Sequence, residues 1–199
     1  MTEHYYTKNP KGPLVTKRIR ARLRNEEFTF ETGSGTFSKD KVDTGSALLI
    51  NEVTFQPGDR ILDLGCGYGP VGIAVKKTCP QCTVVMTDVN ERAVKLAKAN
   101  AKLNDVTVDA RAGNEYEPVK DELFNAVLLN PPQTAGKELC NRLIANAKSR
   151  LYTNGFFWLV ARHNKGGSSF EEKMEEIFGN VETIARQSGF RVYRSKKTV

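Results

Sequence analysis

The run Arg60-Ile61-Leu62-Asp63-Leu64-Gly65-Cys66-Gly67-Tyr68-Gly69-Pro70 constrains the fold of this chain more than any other. Its apolar start is too short for a helix and reads as a buried parallel strand. The alternate glycines then permit a sharp turn, and a second apolar stretch from Pro70 to Lys77 reads as a helix. Glycine takes backbone angles that other residues avoid and lets a ligand approach the main chain closely. A parallel strand also obliges the rest of the chain to supply crossover units.

Those units are present. Thr83 to Asp88 forms a second strand pattern, and Glu91 to Leu103 an amphipathic helix with Ala93, Leu96, Ala97 and Asn100 on one side. Val106 to Val108 reads as a third strand, Phe124 to Leu129 as a fourth, and Gly155 to Val160 as a fifth. Helices are expected over 136–150 and 170–178, with strand-like runs over 181–186 and 190–194. This alternation predicts an α/β fold with a doubly wound, mostly parallel sheet and an antiparallel C-terminal end.

Before this core, Arg18-Ile19-Arg20-Ala21-Arg22-Leu23-Arg24 alternates strictly. With a turn at Asn25-Glu26 and a second alternating run over Glu27 to Glu31, it predicts a β-hairpin. Residues 1–42 therefore read as a basic N-terminal arm and hairpin, and 43–199 as the main α/β unit, the whole forming one compact domain. A helix is expected from about Ala47.

The chain has 199 residues and a net charge of +7. Lys8, Lys11, Lys17, Arg18, Arg20, Arg22 and Arg24 occur with no intervening acid, and Arg191, Arg194, Lys196 and Lys197 add charge near the other end. Such a distribution favours a polyanionic partner. The arginine face reads either as a contact for RNA phosphates or as a solvated face paired with Glu27 and Glu31. No apolar run approaches the ~20 residues that cross a bilayer. The polar N-terminus lacks the order of a signal peptide, so a cytoplasmic location with no membrane partner is expected. Cys79-Pro80-Gln81-Cys82 has the spacing of a redox or zinc pair, but no second pair accompanies it. Reduced structural thiols and no metal are expected.

Gly67-x-Gly69-x-x-Gly72 also satisfies a dinucleotide fingerprint, with Asp88 near the distance of a ribose-binding acid. Two details favour a cationic, amino-acid-bearing cofactor. Asp63 sits inside the strand end, where a carboxylate suits positive charge; a pyrophosphate loop would instead favour an anion. Asp88, at the end of the second strand, is placed to accept from ribose hydroxyls or to cap the next helix. Asn114, after the third strand, is placed to read an adenine edge or to serve as a turn residue.

Asn130-Pro131-Pro132 falls at the carboxyl end of the fourth strand, beside this crevice. The exocyclic amine of a base is a poor nucleophile because its lone pair is delocalised. An Asn oxygen and the carbonyl of the following proline can each accept one of its N–H bonds and direct the lone pair outward. Catalysis by positioning and directed hydrogen bonding would follow.

These residues, with Gly35-Thr36-Phe37-Ser38, Asp43-Thr44-Gly45-Ser46-Ala47-Leu48-Leu49, Asp88-Val89-Asn90 and Asn114, resemble class I S-adenosylmethionine-dependent methyltransferases. Within that class they are similar to the small-subunit ribosomal RNA guanine-N2 methyltransferase family, of which this looks like a short, single-domain member. His4-Tyr5-Tyr6 also matches the opening of that family's catalytic domain. The resemblance implies S-adenosylmethionine as cofactor, with Asp63, Gly65 and Gly67 along its methionine half and Asp88 at its ribose. Asn114 would lie near the adenine, and Cys66, Val89 and Asn130 complete the implied cofactor set.

Asn130, Pro131 and Pro132 would form the catalytic loop. Phe37 and Asp43 would help close the site, and Gln133 stands where many base methyltransferases carry a stacking aromatic. Phe37 and Tyr68 are candidates to supply the stacking instead. Arg18, Arg20, Arg22 and Arg24 would contact the RNA. The implied acceptor is guanine N2 in small-subunit ribosomal RNA, free or assembled. A tRNA base, DNA adenine or a protein glutamine presents the same planar amine. A dehydrogenase and a non-enzymatic RNA-binding module are the competing classes.

Overall fold

A computed structural model describes residues 15–34, 38–131 and 136–199. The opening segment with His4-Tyr5-Tyr6 and the residues Gly35, Thr36, Phe37, Pro132 and Gln133 lie outside that range.

The chain opens with β1 (Thr16–Leu23) and β2 (Glu26–Gly33), an antiparallel pair. There follow α1 (Thr44–Glu52), β3 (Arg60–Leu64), α2 (Pro70–Thr78), β4 (Thr83–Asp88), α3 (Glu91–Leu103) and β5 (Asp109–Ala112). The second half comprises β6 (Phe124–Leu129), α4 (Lys137–Ala147), β7 (Leu151–Arg162), α5 (Gly167–Phe178), β8 (Glu182–Gln187) and β9 (Phe190–Lys196). Seven strands form one sheet in the order β5-β4-β3-β6-β7-β9-β8. The pairs among β5, β4, β3, β6 and β7 are parallel, and β9 pairs antiparallel with both β7 and β8.

The sheet grows outward in both directions from β3, so chain order reverses between β3 and β6. Ligands of open α/β sheets bind outside the carboxyl ends of the strands at such a switch point. Here those ends carry the glycine loop after β3, Asp88 at the end of β4 and Asn130-Pro131 after β6.

Both faces of the sheet are covered, which is why its central strands are apolar at nearly every position. Ile61, Met86, Leu128 and Trp158 pack toward α1, α2 and α3. Leu62, Val127, Leu129 and Phe157 pack toward α4 and α5 with Ile144 and Met174. Phe28 and Phe30 of the hairpin join the first of these cores and stack on each other at 5.8 Å.

Asn100 of α3 and Asn104, its C-cap, hold the hairpin in place. Both are buried, one helical turn apart. The Asn104 amide accepts from the Thr29 backbone N–H at 3.1 Å and donates to the Thr29 carbonyl at 2.8 Å. Asn100 does the same for Glu31 at 2.6 and 2.9 Å, and also donates to the Tyr68 carbonyl at 2.9 Å. The side-chain amides thus satisfy backbone groups of β2 that a further strand would otherwise have to meet.

Several boundaries differ from the sequence reading. The third strand is Asp109–Ala112 rather than 106–108. The Val106 N–H is spent on the Ala101 carbonyl at the end of α3, and Val106 and Val108 pack against the core while the more polar segment pairs with β4. The hairpin turns at Arg24-Asn25, both with positive φ, one residue earlier than expected. Two such residues match the right-handed strand twist of a tight hairpin. The expected helix 136–150 ends at Ala147 and finishes as one 3-10 turn. The fifth strand extends at both ends to Leu151–Arg162.

Candidate cofactor and acceptor site

The glycine loop is shaped by β4. Gly65 and Cys66 donate to the Thr87 carbonyl at 2.8 and 2.9 Å, and the Gly67 N–H donates to Asp88 Oδ2 at 2.8 Å. Gly65 and Gly67 have φ of 70° and 57°, and a Cβ on either would meet nothing within 4 Å. Open space above a left-handed backbone is what a ligand lying on the main chain requires. Gly72 serves differently. A Cβ there would collide with Met86 and lie 3.1 Å from Asp63 Oδ2, the atom to which the Gly72 N–H donates at 2.8 Å. The third glycine of the fingerprint thus seats a buried carboxylate.

Asp63 is 3% exposed. Burial pushes its carboxyl up to about 7; the Gly72 N–H opposes the shift, and the nearby Asp88 charge adds to it. Asp88 is also raised, chiefly by burial, although it accepts from the N–H groups of Asn90 and Gly67. The cap of α3 is Asn90, which accepts from Arg92 and Ala93 at 3.0 and 3.3 Å. That arrangement frees Asp88 from the capping role the sequence left open for it. Burial likewise raises the Cys66 thiol well above its ordinary value.

A cleft is bounded by Asp63, Gly65, Cys66, Gly67, Asp88, Val89, Asn114 and Asn130, with Asp43 also on its wall. Every residue expected at the cofactor is therefore brought together. Buried carboxylates without a described Lys or Arg on the same walls make the cleft receptive to a cationic ligand. Leu139 and Leu143 of α4 add apolar wall.

The Asn130 side chain is oriented by α1. Its Nδ2 donates to Asp43 Oδ1 at 3.2 Å and to Ser46 Oγ at 3.0 Å. Both amide hydrogens are then engaged, which leaves the Oδ1 acceptor of this cleft-lining residue for another donor. Asp43 also caps α1, its Oδ1 accepting from the Ser46 N–H at 3.0 Å. Asp43, which also lines the cleft, thereby ties the Asn130 amide to the start of α1. Ser46 belongs to the same apparatus and was missing from the expected site residues. Its signal was the Asp43-x-x-Ser46 spacing of a helix cap.

The arginine face divides. Arg18, Arg20 and Arg22 lie on β1, and Arg18 pairs with Glu31 at 2.9 Å. Arg22 lies opposite Glu27 in the strand register, and Arg20 opposite Thr29. Arg24 departs from the face: its guanidinium donates to the carbonyls of Ile50 and Val53 at the end of α1 and lies over Phe55 at 4.6 Å. It thereby closes the C-terminal end of a helix. Tyr68 is 2% exposed, packs edge-on against Phe30 and also borders the cleft.

All four cysteines are free and buried. Cys82 Sγ lies 2.9 Å from Cys79 Sγ and donates to the Gln56 carbonyl at 3.3 Å. Among the described residues no helix is long and apolar enough to cross a membrane, and no cluster of His, Cys, Asp or Glu could hold a metal ion.

The switch-point cleft, the acid at the end of each of two adjacent strands and the open glycine loop define a class I methyltransferase whose cofactor is S-adenosylmethionine. The chain belongs to the methyltransferase small domain family, whose model matches residues 27–194. The uncharacterized protein YbxB of Bacillus subtilis is 38% identical over 99% of this chain and 100% of its own length. Ribosomal RNA small subunit methyltransferase C of Erwinia tasmaniensis is 31% identical over 86% of this chain and 50% of its own length. The T. thermophilus 16S rRNA N2 methyltransferase RsmC, solved in complex with AdoMet and guanosine, matches with a TM-score of 0.83 and 25% identity. That match covers 94% of this chain and 52% of the other. The chain thus spans about half the length of its ribosomal RNA methyltransferase relatives.

Proposed function

We propose that the protein methylates the exocyclic amine of a nucleic-acid base, with guanine N2 in small-subunit ribosomal RNA as the acceptor. One observation carries the reading: Asn130, at the carboxyl end of β6, has both amide hydrogens tied to Asp43 and Ser46 and its oxygen left for an incoming N–H. The T. thermophilus 16S rRNA N2 methyltransferase, solved with guanosine, supplies the choice of guanine.

S-adenosylmethionine supplies an electrophilic methyl group on a sulfonium. Asp63 would hold the positive end of its amino acid, Asp88 the ribose hydroxyls and Asn114 the adenine edge, with Gly65 to Gly67 as the floor. Asn130 Oδ1 and the Pro131 carbonyl would each accept one N–H of the acceptor amine, drawing the nitrogen toward a tetrahedral shape. The lone pair then points into the cofactor cleft, and the surplus proton leaves to water after transfer. Oriented hydrogen bonding of this kind carries no desolvated base and needs none. Arg18, Arg20 and Arg22 on the hairpin would add phosphate contacts.

The test is transfer of tritiated methyl to free ribosomal RNA, intact small subunits and bulk tRNA, followed by digestion of the labelled RNA. Label in N2-methylguanosine from ribosomal RNA supports the reading. Label confined to tRNA, to DNA adenine or to protein amide overturns the acceptor.

A further inference from the structure

Asn130 stands between two clefts of opposite charge. The cofactor cleft carries Asp43, Asp63, Asp88 and Glu115 and no described Lys or Arg. Beyond Asn130 and Pro131 lies a second cleft, with Lys137, Arg162 and Lys165 on its walls and no described carboxylate. Its remaining surface includes the apolar side chains of Val160, Ala161 and Phe170. A field that reverses sign across one side chain sorts a cation to one side and an anion to the other.

Arg162 and Lys165 flank one turn that is pinned to β9. Arg162 ends β7, and its guanidinium lies over the Phe190 ring at 4.5 Å. The His163 N–H donates to the Gly189 carbonyl at 3.0 Å, and His163 Nδ1 lies 2.8 Å from the Tyr193 hydroxyl. Gly166, with φ of 102°, then swings the chain into α5, and a Cβ on Gly167 would come within 2.8 Å of the Arg162 carbonyl. Across the cleft, Lys137 is the first residue of α4. A lysine in the first turn opposes the helix dipole, and a bound anion relieves that opposition.

We infer that this second cleft is a phosphate-binding subsite, in which Lys165 and Lys137 grip the sugar-phosphate backbone beside the base presented to Asn130, while Arg162, its guanidinium held against Phe190, adds to the positive field. The inference rests on the nucleic-acid reading above and deepens it. The acceptor is a nucleotide within a strand, since neither a free base nor a protein amide brings a phosphate to these cations.

The test uses the full chain saturated with S-adenosylmethionine and a fluorescein-labelled, guanine-containing single-stranded oligoribonucleotide, with binding read by anisotropy across a salt series. Lys165→Glu and Lys137→Glu carry it, both at exposed positions. Lys98→Glu, on an exposed position of α3 that lines neither cleft, is the control. Each cleft variant is expected to lose about tenfold or more in RNA affinity, and the salt slope to fall by about 0.7 for each phosphate no longer gripped. Cofactor affinity by calorimetry should stay within about twofold of the wild type, since the acidic cleft is untouched. RNA affinity and salt slope no more affected than in Lys98→Glu would overturn the subsite, even if the wild type labels guanine. Loss of affinity in the variants with no guanine labelled by the wild type would instead sustain the subsite and overturn the guanine acceptor. A wild type that binds no RNA overturns both.

Discussion

Asp63→Asn removes a carboxylate that the fold buries beside a second acid, in a cleft with no described Lys or Arg. Its carboxyl is pushed from an ordinary 3.8 up to about 7. The native state therefore holds a proton that the unfolded chain has already released between those two values. Stability contributed by the protonated form is complete below the ordinary value, falls as pH rises toward the folded value and levels off above it. A rise of that size corresponds to about 4 kcal/mol at about pH 8, and to about 2 kcal/mol at about pH 5.

Asparagine keeps an oxygen for the Gly72 N–H and carries no charge, so the ligand-free variant should be the more stable protein. Urea unfolding of both proteins without cofactor, at these two pH values, isolates the contribution of this one group from other titrations. Calorimetry at about pH 8, where the carboxylate is ionised, should show cofactor affinity reduced at least about tenfold, because a close charge in a partly desolvated cleft is gone. The reasoning is refuted if Asp63→Asn is no more stable than the wild type at about pH 8, or if its advantage does not shrink toward acid pH. It is equally refuted if cofactor affinity is unchanged.

Asn130→Ala should lower methyl transfer by about a hundredfold or more, in the range of a missing directing hydrogen bond, with cofactor affinity within about threefold. Ser46→Ala removes one of two restraints on the Asn130 amide and should lower kcat by about tenfold with little change in KM, a split that steady-state kinetics resolves. Asp43→Ala should do the same and, because α1 then has no side-chain cap, also cost about 1 kcal/mol in urea unfolding. Asn100→Ala leaves the buried Tyr68 carbonyl and the part-buried Glu31 N–H and carbonyl without the amide; a buried group left unpaired costs about 1–3 kcal/mol, which thermal unfolding should register.

What could be read in the sequence was set by local pattern. The glycine turn, the acids at two strand ends and the Asn-Pro pair each announce themselves within a few residues, and strand-helix alternation places them at one edge of the sheet. The third strand was misplaced because apolar character marked Val106 to Val108, whereas ladder pairing fell to Asp109–Ala112, whose side chains reveal little. Arg24 looked like its neighbours on β1 because alternation cannot register a guanidinium that turns back to cap α1. The aiming of Asn130 by Asp43 joins residues 87 positions apart, a pairing that no periodicity records. Asn100 was assigned to a helix face, but its partners in β2 and the glycine loop emerge only from tertiary packing.

The attachment of β2 to α3 through side-chain amides fixes how the two can open. The N–H groups of Thr29 and Glu31 end on Asn104 and Asn100 rather than on a neighbouring strand, and Asn100 also bears on the carbonyl of Tyr68. Solvent deuterium reaches these two amides only when α3 releases them, and that release loosens the loop on which the cofactor lies. Their exchange rates are therefore a clock for the glycine loop, and cofactor should slow both together although neither touches it.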